Sequence, residues 1–333
     1  SAEGLTGENL KTELYNIIKD HSVQSYGSLW DHYYTTDDKP NGKVWDMYSD
    51  VPDGTPPYEY TFGTNQCGNY NSENDCYNRE HSFPKSWFDD SSPMVTDIIH
   101  IVPTDGYVNG KRSNWPFGET NSPSWTSMNG SKVGSCSVSG YNGTIFEPID
   151  AYKGDFARIY FYMATRYENL IANWENNSSS SDAALNGSSY PCYEEWYLNM
   201  LLDWHRNDPV SQKEIDRNND IYDIQDNRNP FVDRPIYVSK IWDPTNAVSD
   251  ISIHEIMNIY TGNNGNTLYL NKLITGSEEF QLILYNISGQ ELGAEKMSNS
   301  SFEMDIANTQ KGCYILQITN TNNQELYHFK FIK

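Results

Sequence analysis

Glu80 and His81 are adjacent in a segment that reads Asn-Arg-Glu-His-Ser-Phe-Pro. Asn109 and Arg112 lie in a second segment, Val-Asn-Gly-Lys-Arg-Ser-Asn. Hard divalent cations bind oxygen ligands, so the Glu80 carboxylate and the Asn109 carbonyl could hold Mg²⁺ and leave room for water. An imidazole with a pKa of about 6.5 can take a proton from water near neutral pH, and a guanidinium can bind a phosphate oxygen. These four residues therefore have the chemistry to hydrolyse a phosphodiester.

The two neighbours in the first segment impose a geometric condition. Adjacent side chains of a regular strand face opposite ways, so we expect the chain to turn at Glu80 and His81 if both serve one site. Pro84, shortly after the pair, is consistent with a turn. We expect the functional atoms to converge on one cleft, with Asn109 contributed by a helix across it.

Several other catalytic patterns are missing from the sequence. The seven histidines form no His-Glu-x-x-His or His-x-His pattern, which disfavours a zinc hydrolase. No Gly-x-Ser-x-Gly or phosphate-binding P-loop motif is present either.

The five cysteines are too few for a disulfide scaffold and contain no Cys-x-x-Cys pair. Cys67 and Cys76 flank a polar, turn-rich segment, so we favour a local disulfide between them. A second pairing, Cys136 with Cys192, has weaker support, and the alternative is that all five are reduced.

The first two thirds of the chain reads as helices separated by long loops. Apolar spacing predicts helices over 5–19, 156–173, 193–206 and 211–225. Ser211 and Glu214 form a capping-box pattern, and Gly154-Asp155 could cap the second of these helices. Residues 50–78 and 119–142 are predicted loops.

After about Trp242 the pattern changes to short alternating runs. Strands are predicted over 267–270, 280–285, 302–306, 312–319 and 325–332. Their spacing suggests a small antiparallel sandwich. The predicted organisation is α+β: a mixed helical domain over 1–245, a linker over 246–262 and a small all-β, Ig-like sandwich over 263–333.

The helical part resembles the bacterial endonuclease I family, non-specific nucleases of the ββα-metal (His-Me finger) group. The similarity spans roughly 5–245, and its blocks, in the family's order, lie at 76–87, 97–103, 108–114, 154–158 with 162–163, and 225–231. Two positions depart from the family's usual pattern: Ile99 stands where a histidine is common, and Asp226 where a glycine is common.

The resemblance implies a role for each candidate residue. His81 would be the general base, Glu80 and Asn109 would bind Mg²⁺, and Arg112 would lie near the scissile phosphate. The alternative for Arg112 is a structural arginine that caps a helix. Ca²⁺ or Mn²⁺ could substitute for Mg²⁺. Three further positions, Asp97, His100 and Arg228, are expected to support the site or nearby loops through hydrogen bonds, and His205 is expected to be structural.

The tail resembles the C-terminal sorting domain of Bacteroidetes type IX secretion. The matching segments are 282–291, 304–306, 311–318 and 329–333. This resemblance implies passage across the outer membrane, followed by removal of the tail or attachment to the cell surface. A generic Ig-like accessory module is the alternative.

These observations favour a secreted, sequence-nonspecific endonuclease that acts on DNA and RNA and leaves 5′-phosphate ends. One alternative is a secreted glycan-active hydrolase with paired carboxylates, such as Glu194/Glu195 or Asp89/Asp90, although adjacent residues are poorly placed to flank a sugar bond. Another is a non-catalytic surface adhesin. We expect a monomer, and no apolar run approaches the roughly 18 residues of a membrane-spanning helix.

The net charge of −22 argues against this substrate at first sight, because nucleic-acid-binding proteins usually carry a basic face. The helical part is strongly acidic, with 18 basic and 37 acidic side chains over residues 1–250. A cation and a few basic side chains would have to attract the substrate locally. We therefore expect weak, salt-sensitive binding in a small cationic cleft on a repulsive surface.

Overall fold

The chain forms two units, 1–242 and 243–333, each with its own apolar core. The computed structural model describes residues 2, 4–52, 54–243, 256–262, 266–273, 278–322 and 326–333. The predicted linker falls partly outside these residues, at 246–255.

The first unit combines helices with short strands. Its helices are α1 (Gly7–Ile18), α2 (Leu29–Thr36), α3 (Gly106–Arg112), α4 (Lys153–Arg166), α5 (Ser179–Asp182), α6 (Glu195–Asn207), α7 (Gln212–Gln225), α8 (Pro230–Asp233) and α9 (Ile236–Trp242). Its strands are β1 (Tyr77–His81), β2 (Ile101–Asp105), β3 (Pro123–Thr126), β4 (Lys132–Ser135) and β5 (Thr144–Glu147). Short 3-10 turns lie at Lys85–Trp87, Met94–Thr96, Ile98–His100, Asp150–Tyr152, Ile171–Asn173 and Glu175–Asn177.

Helix α4 lies at the centre of the first unit, and all of its residues are buried. It begins at Lys153, and the N-cap position is occupied by Tyr152, which makes no side-chain cap hydrogen bond. The predicted N-cap, Gly154-Asp155, lies inside the helix and is therefore wrong. It also ends at Arg166, well before the predicted end, and a 3-10 turn follows at Ile171–Asn173.

The predicted helices at 5–19, 193–206 and 211–225 correspond to α1, α6 and α7. The capping box of α7 is present: the Ser211 hydroxyl accepts from the Glu214 amide, and the Glu214 carboxylate accepts from the Ser211 amide. Each of these two hydrogen bonds pairs a backbone amide that would otherwise lack an acceptor at the helix N-terminus.

Strands β1 and β2 pair in antiparallel register, from Tyr77 opposite Asp105 to His81 opposite Ile101. Helix α3 follows β2 directly. Asp105, the last residue of β2, caps the helix because its carboxylate accepts from the Val108 amide at 2.9 Å. Two strands and a helix thus form a ββα unit, and its long β1–β2 connection returns the chain beside the end of β1.

Strands β3, β4 and β5 form a separate three-stranded antiparallel sheet. Two of these strands fall within the loop predicted over 119–142. No side chain of β3 is buried, and the buried residues of β4, Val133 and Gly134, are adjacent. Neither strand therefore shows the alternation of a half-buried strand, which is why the sequence did not predict them.

A disulfide joins Cys67 and Cys76, as expected. The second pairing is wrong, because Cys136 and Cys192 are both free. They lie in different surroundings: Cys192 is fully buried near Lys11 of α1, whereas Cys136 is half-buried in the loop that follows β4.

The second unit is all-β. Its strands are β6 (Met257–Thr261), β7 (Thr267–Lys272), β8 (Phe280–Asn286), β9 (Glu291–Met297), β10 (Ser301–Asp305), β11 (Cys313–Asn320) and β12 (Leu326–Ile332). They form one sheet in the order β12-β11-β8-β9 and another in the order β10-β7-β6. Both sheets contribute alternate apolar side chains to one core, so the predicted fold class is confirmed.

Two strands of the second unit were not predicted. Residues 257–261, assigned to the linker, form β6, in which Met257 and Ile259 alternate inward between exposed neighbours. Strand β9 exposes every side chain except Met297 and therefore has no apolar alternation. In the described residues, no helix is long and apolar enough to cross a membrane.

Candidate active site

A cavity of about 360 Å³ opens where β1 ends. The structure brings all four candidate residues, Glu80, His81, Asn109 and Arg112, to its wall. The other lining residues are Tyr26, Arg79, Pro84, Lys85, Ser86, Ser113 and Asn114. The wall is therefore built from β1, the turn after it, α3 and the connection between α1 and α2.

The expected turn at Glu80 and His81 is wrong, because both residues pair in register with β2. Their side chains have different neighbours: Glu80 contacts Tyr48, whereas His81 stacks on Tyr26. They reach one cavity because they are the last two residues of the strand, where both faces border the opening.

Glu80 is 3% exposed, and its contacts direct one oxygen inward. Oε1 accepts from the Tyr48 hydroxyl at 3.0 Å and lies 3.4 Å from Nε of Arg112. Burial raises the pKa of Glu80 to about 7, against the opposing effects of the Arg112 charge and the Tyr48 hydrogen bond. No described residue hydrogen-bonds to Oε2, which leaves that oxygen available as a ligand.

The hydrogen bond of His81 fixes which ring nitrogen carries the proton. Nε2 lies 3.1 Å from the carbonyl oxygen of Val95. Because a carbonyl only accepts, Nε2 must donate, and the lone pair of the neutral ring is on Nδ1. Burial lowers the pKa of His81 to about 3, helped by the neighbouring imidazole of His100. The imidazole is therefore neutral at pH 7 and can accept a proton.

Asn109 lies on α3, and its amide is oriented by a neighbour on β1. Its Nδ2 donates to Oδ1 of Asn78 at 2.8 Å. This bond uses the nitrogen side of the amide and leaves Oδ1 free to bind a cation.

Arg112 lines the cavity but is only 1% exposed. Its Nη2 donates to the Ser82 carbonyl at 2.5 Å and lies 3.3 Å from the Tyr160 hydroxyl. Its Nη1 lies 3.2 Å from the Ser113 carbonyl and 3.5 Å from that of His81, and Nε faces Glu80. The guanidinium is thus directed at protein groups, although Arg112 belongs to the cavity wall as expected.

The donor set of the cavity fits a hard divalent cation. In the part of the chain that the structure describes, no group of three or more His, Cys, Asp or Glu side chains could hold a metal. Glu80 Oε2 and Asn109 Oδ1 offer one carboxylate and one amide oxygen. A small number of oxygen ligands with room for several waters is how Mg²⁺ is usually bound.

Asp97 is fully buried and does not line the cavity. Its Oδ2 accepts from the hydroxyls of Tyr162 and Tyr167, both at 2.8 Å, and its Oδ1 accepts from Gln225 at 2.9 Å. His100 is likewise fully buried, with Nε2 2.7 Å from the Met94 carbonyl.

The remaining block, 225–231, is also structural. Arg228 pairs with Asp233 at 2.6 Å and lies outside the cavity wall. Asp226 ends α7 with a φ of 61°, a left-handed conformation that explains why glycine suits this position. The Asp226 carboxylate accepts from the Ser22 hydroxyl at 2.6 Å, a contact glycine could not make.

Sequence reasoning missed four contributors to the site: Tyr26, Tyr48, Asn78 and Arg79. Asn78 and Arg79 lie directly before Glu80, so the motif itself contained a signal. Tyr26 and Tyr48 come from distant parts of the chain, and no local pattern marks them. The carboxylate pairs of the glycan-active alternative, Glu194/Glu195 and Asp89/Asp90, do not line this cavity.

Comparison with known proteins agrees with both resemblances. Residues 6–236 match the Endonuclease I family, and residues 256–333 match the secretion system C-terminal sorting domain. An extracellular ribonuclease of Bacillus subtilis (strain 168) is 35% identical over 247 residues, which cover 72% of this chain and 76% of that protein. The extracellular ribonuclease of Bacillus amyloliquefaciens is 35% identical over 244 residues, with the same coverage.

A third relative covers less of the chain. Endonuclease-1 of Buchnera aphidicola subsp. Baizongia pistaciae is 29% identical over 140 residues, 42% of this chain and 46% of that protein. Among solved structures, an Ig-like β-sandwich protein of the DUF3244 family from Bacteroides vulgatus matches at 20% identity. Its TM-score of 0.21, over 23% of this chain and 83% of that one, is too low to support an argument.

Proposed function

Because the chain belongs to the endonuclease I family, we propose that its cavity cleaves both DNA and RNA without sequence preference, using His81 as the general base. The broader activity, a secreted nuclease, follows from the family and from the type IX sorting tail. The observation that carries the proposal is the hydrogen bond from His81 Nε2 to Val95, which leaves the lone pair of Nδ1 for a water molecule.

His81 takes a proton from that water as the oxygen attacks the phosphorus in line with the leaving 3′-oxygen. Cleavage on this side of the phosphorus leaves 5′-phosphate and 3′-hydroxyl ends. The lowered pKa of His81 keeps the ring neutral before attack. The Val95 carbonyl holds the ring in the tautomer that exposes Nδ1 and stabilises the imidazolium that forms.

Glu80 and Asn109 would hold the divalent cation on which the family depends, and we propose that it is Mg²⁺, with Mn²⁺ or Ca²⁺ as substitutes. When bound, the cation supplies positive charge that stabilises the developing phosphorane and the leaving oxygen. Tyr48 and Asn78 orient the two ligands through the hydrogen bonds described above. Arg112 holds the carbonyls of His81 and Ser82, which fixes the end of β1.

Both substrates remain part of the proposal because the relatives carry names of both kinds, extracellular ribonuclease and Endonuclease-1. The cavity wall contains Arg79, Lys85 and Ser86, and side chains of these types commonly contact the phosphate backbone, which is the same in every sequence. We propose that the protein acts as a monomer, because a single chain brings the proposed base and both proposed metal ligands to one cavity.

The test compares wild type, His81→Ala and His328→Ala on supercoiled plasmid and on a labelled RNA, with Mg²⁺ and with EDTA. His328 is an exposed histidine of the second unit, so its substitution controls for loss of an imidazole. We expect nicking by wild type and His328→Ala in Mg²⁺ only, and loss of at least about 100-fold in His81→Ala. Equal rates for His81→Ala and wild type would remove His81 as the base.

Product ends provide a separate check. DNA ligase reseals nicks that carry a 5′-phosphate and a 3′-hydroxyl, so the nicked plasmid should be closed by ligase without prior kinase treatment. A requirement for kinase would contradict cleavage of the bond to the 3′-oxygen.

A further inference from the structure

Three cationic side chains line the cavity: Arg79, Lys85 and Arg112. Arg112 is buried and directed at protein groups, as described above. Lys85 is 55% exposed, and its ammonium group already pairs with Asp90 at 2.6 Å. Arg79 is therefore the lining residue whose guanidinium is best placed to contact a substrate phosphate.

Two aromatic rings hold the Arg79 guanidinium in place. Its central carbon lies 3.7 Å from the centroid of the Tyr26 ring and 4.5 Å from that of Trp30. Nη1 donates to the Tyr26 carbonyl at 2.6 Å. Stacking and one hydrogen bond fix the plane of the group, which reduces the entropy lost when it binds a ligand.

The remaining N–H groups of Arg79 have no acceptor among the described residues. An arginine has five donors in a planar fork, and only one of them is used here. Arg79 is half-buried and lines the cavity. A half-buried cation with unused donors is suited to bind a phosphate bidentately.

Arg79 also lies on the same side of the strand as the proposed base. Arg79 and His81 are two residues apart in β1 and therefore face the same way. The Tyr26 ring contacts both: it stacks under the guanidinium and lies 6.1 Å from the His81 ring at an angle of 16°. A phosphate bound by Arg79 would thus lie beside the ring that activates water.

We propose that Arg79 is the arginine that binds a backbone phosphate of the nucleic-acid substrate, with Tyr26 and Trp30 as positioning residues, and that Arg112 serves to hold the end of β1. This inference rests on the proposed nuclease function. It assigns the expected phosphate contact to a different residue and adds the α1–α2 connection to the substrate site.

The test measures kcat/KM on a fluorescent DNA oligonucleotide at several NaCl concentrations for wild type, Arg79→Met, Arg79→Lys and Arg234→Met. Arg234 is exposed and lies outside the cavity wall, so Arg234→Met removes the same charge elsewhere. We expect Arg79→Met to lower kcat/KM about 10- to 100-fold, the effect of losing a charge-assisted hydrogen bond. The slope of log(kcat/KM) against log[NaCl] should become less negative by about 0.7 to 0.9. This is the change expected when one phosphate contact is lost.

Arg79→Lys separates the contact from a structural effect. Lysine keeps the charge and hence the salt slope, but it loses the planar fork, so kcat/KM should fall while the slope stays at the wild-type value. Circular dichroism and thermal unfolding verify the fold of each variant. If Arg79→Met does not fold, Arg79→Lys decides alone, because a wild-type kcat/KM in that variant overturns the inference.

Failure of this inference is distinct from failure of the proposed function. A wild-type protein that cleaves no oligonucleotide in Mg²⁺ would overturn both. Cleavage by wild type, together with identical rates and salt slopes for Arg79→Met and Arg234→Met, would overturn the role of Arg79 alone.

Discussion

At the scale of single residues, the most constrained group in the cavity is the Glu80 carboxylate. It is buried, and one of its oxygens is shared between a tyrosine hydroxyl and an arginine. This arrangement keeps Oε1 occupied by protein and presents Oε2 to the opening. The hydroxyl of Tyr48 therefore orients the proposed metal ligand.

Tyr48→Phe tests this relation. We expect the Mg²⁺ concentration for half-maximal activity to rise about tenfold, because partners that orient a metal ligand typically contribute that much. Tyr33→Phe is the matched control: its hydroxyl is also buried, yet it has no hydrogen-bond partner among the described residues. Removal of the Tyr33 hydroxyl should leave the Mg²⁺ dependence unchanged. A shift of equal size in both variants would contradict the role of Tyr48.

The sequence allowed all four candidate residues to be assigned to one cavity, since they lie in two short motifs with distinct chemistry. The behaviour of Arg112 could not be predicted in the same way. Its role depends on which acceptors surround it, and these are backbone carbonyls and the hydroxyl of Tyr160, a residue distant in the chain. Backbone carbonyls have no sequence signature.

At the scale of secondary-structure elements, α3 is positioned by the disulfide-closed loop between Cys67 and Cys76. Tyr70 of this loop packs against the glycines of the helix. A Cβ added at Gly110 would lie 2.5 Å from the Tyr70 hydroxyl oxygen, and one at Gly106 would lie 2.7 Å from its ring. These glycines let the loop approach the helix that carries Asn109.

Gly110→Ala should therefore destabilise the protein by about 1 to 3 kcal/mol through overpacking, although alanine is the better helix former. In a Tyr70→Ala background the clash is absent, and the same substitution should stabilise by up to about 1 kcal/mol. Urea unfolding of the four proteins in this cycle measures both values. A destabilisation that persists without Tyr70 would exclude the clash as its cause.

Elements with a continuous apolar stripe were predictable, and exposed ones were not. Helices α1, α6 and α7 were predicted close to their bounds because their apolar residues recur at helical spacing. Strands β3 and β9 expose nearly all of their side chains, so hydrogen bonding to neighbours, and not burial, determines their conformation. Such pairing depends on residues distant in the chain.

At the scale of the whole molecule, the named residues of the site and their hydrogen-bonding partners lie within the first unit. A chain that ends at Trp242 should therefore fold and cleave plasmid with the kcat/KM of the full chain. Thermal unfolding and plasmid nicking of both proteins test this. A loss of activity in a truncated protein with an intact fold would show that the tail contributes to the site.

The stability of the first unit should decrease in mild acid, because several of its histidines are buried in the neutral form. Burial and the neighbouring Arg158 lower the pKa of His205 to about 3. Below pH 6.5 the unfolded chain takes up a proton that the folded chain does not, so the free energy of unfolding falls as pH falls from about 6.5 toward 3. Each unit of pKa difference corresponds to about 1.4 kcal/mol.

Urea unfolding between pH 7 and pH 5 measures this dependence. His205→Gln keeps a donor for the Pro235 carbonyl but cannot be protonated, and it should therefore reduce the slope of stability with pH. His328→Ala, which removes an exposed histidine, should leave the slope unchanged. The same slope in His205→Gln and wild type would contradict the contribution of His205.

The partners of residues 97–101 have a consequence for the order in which the protein becomes active during synthesis. Arg217 donates to the carbonyls of Ile98, Ile99 and Ile101, and Gln225 donates to Asp97. A ribosome makes β1, β2 and α3 long before it makes α7, so a nascent chain holds every candidate catalytic residue without the side chains that fix the segment before β2. We therefore expect hydrolysis to begin only after α7 has been synthesised.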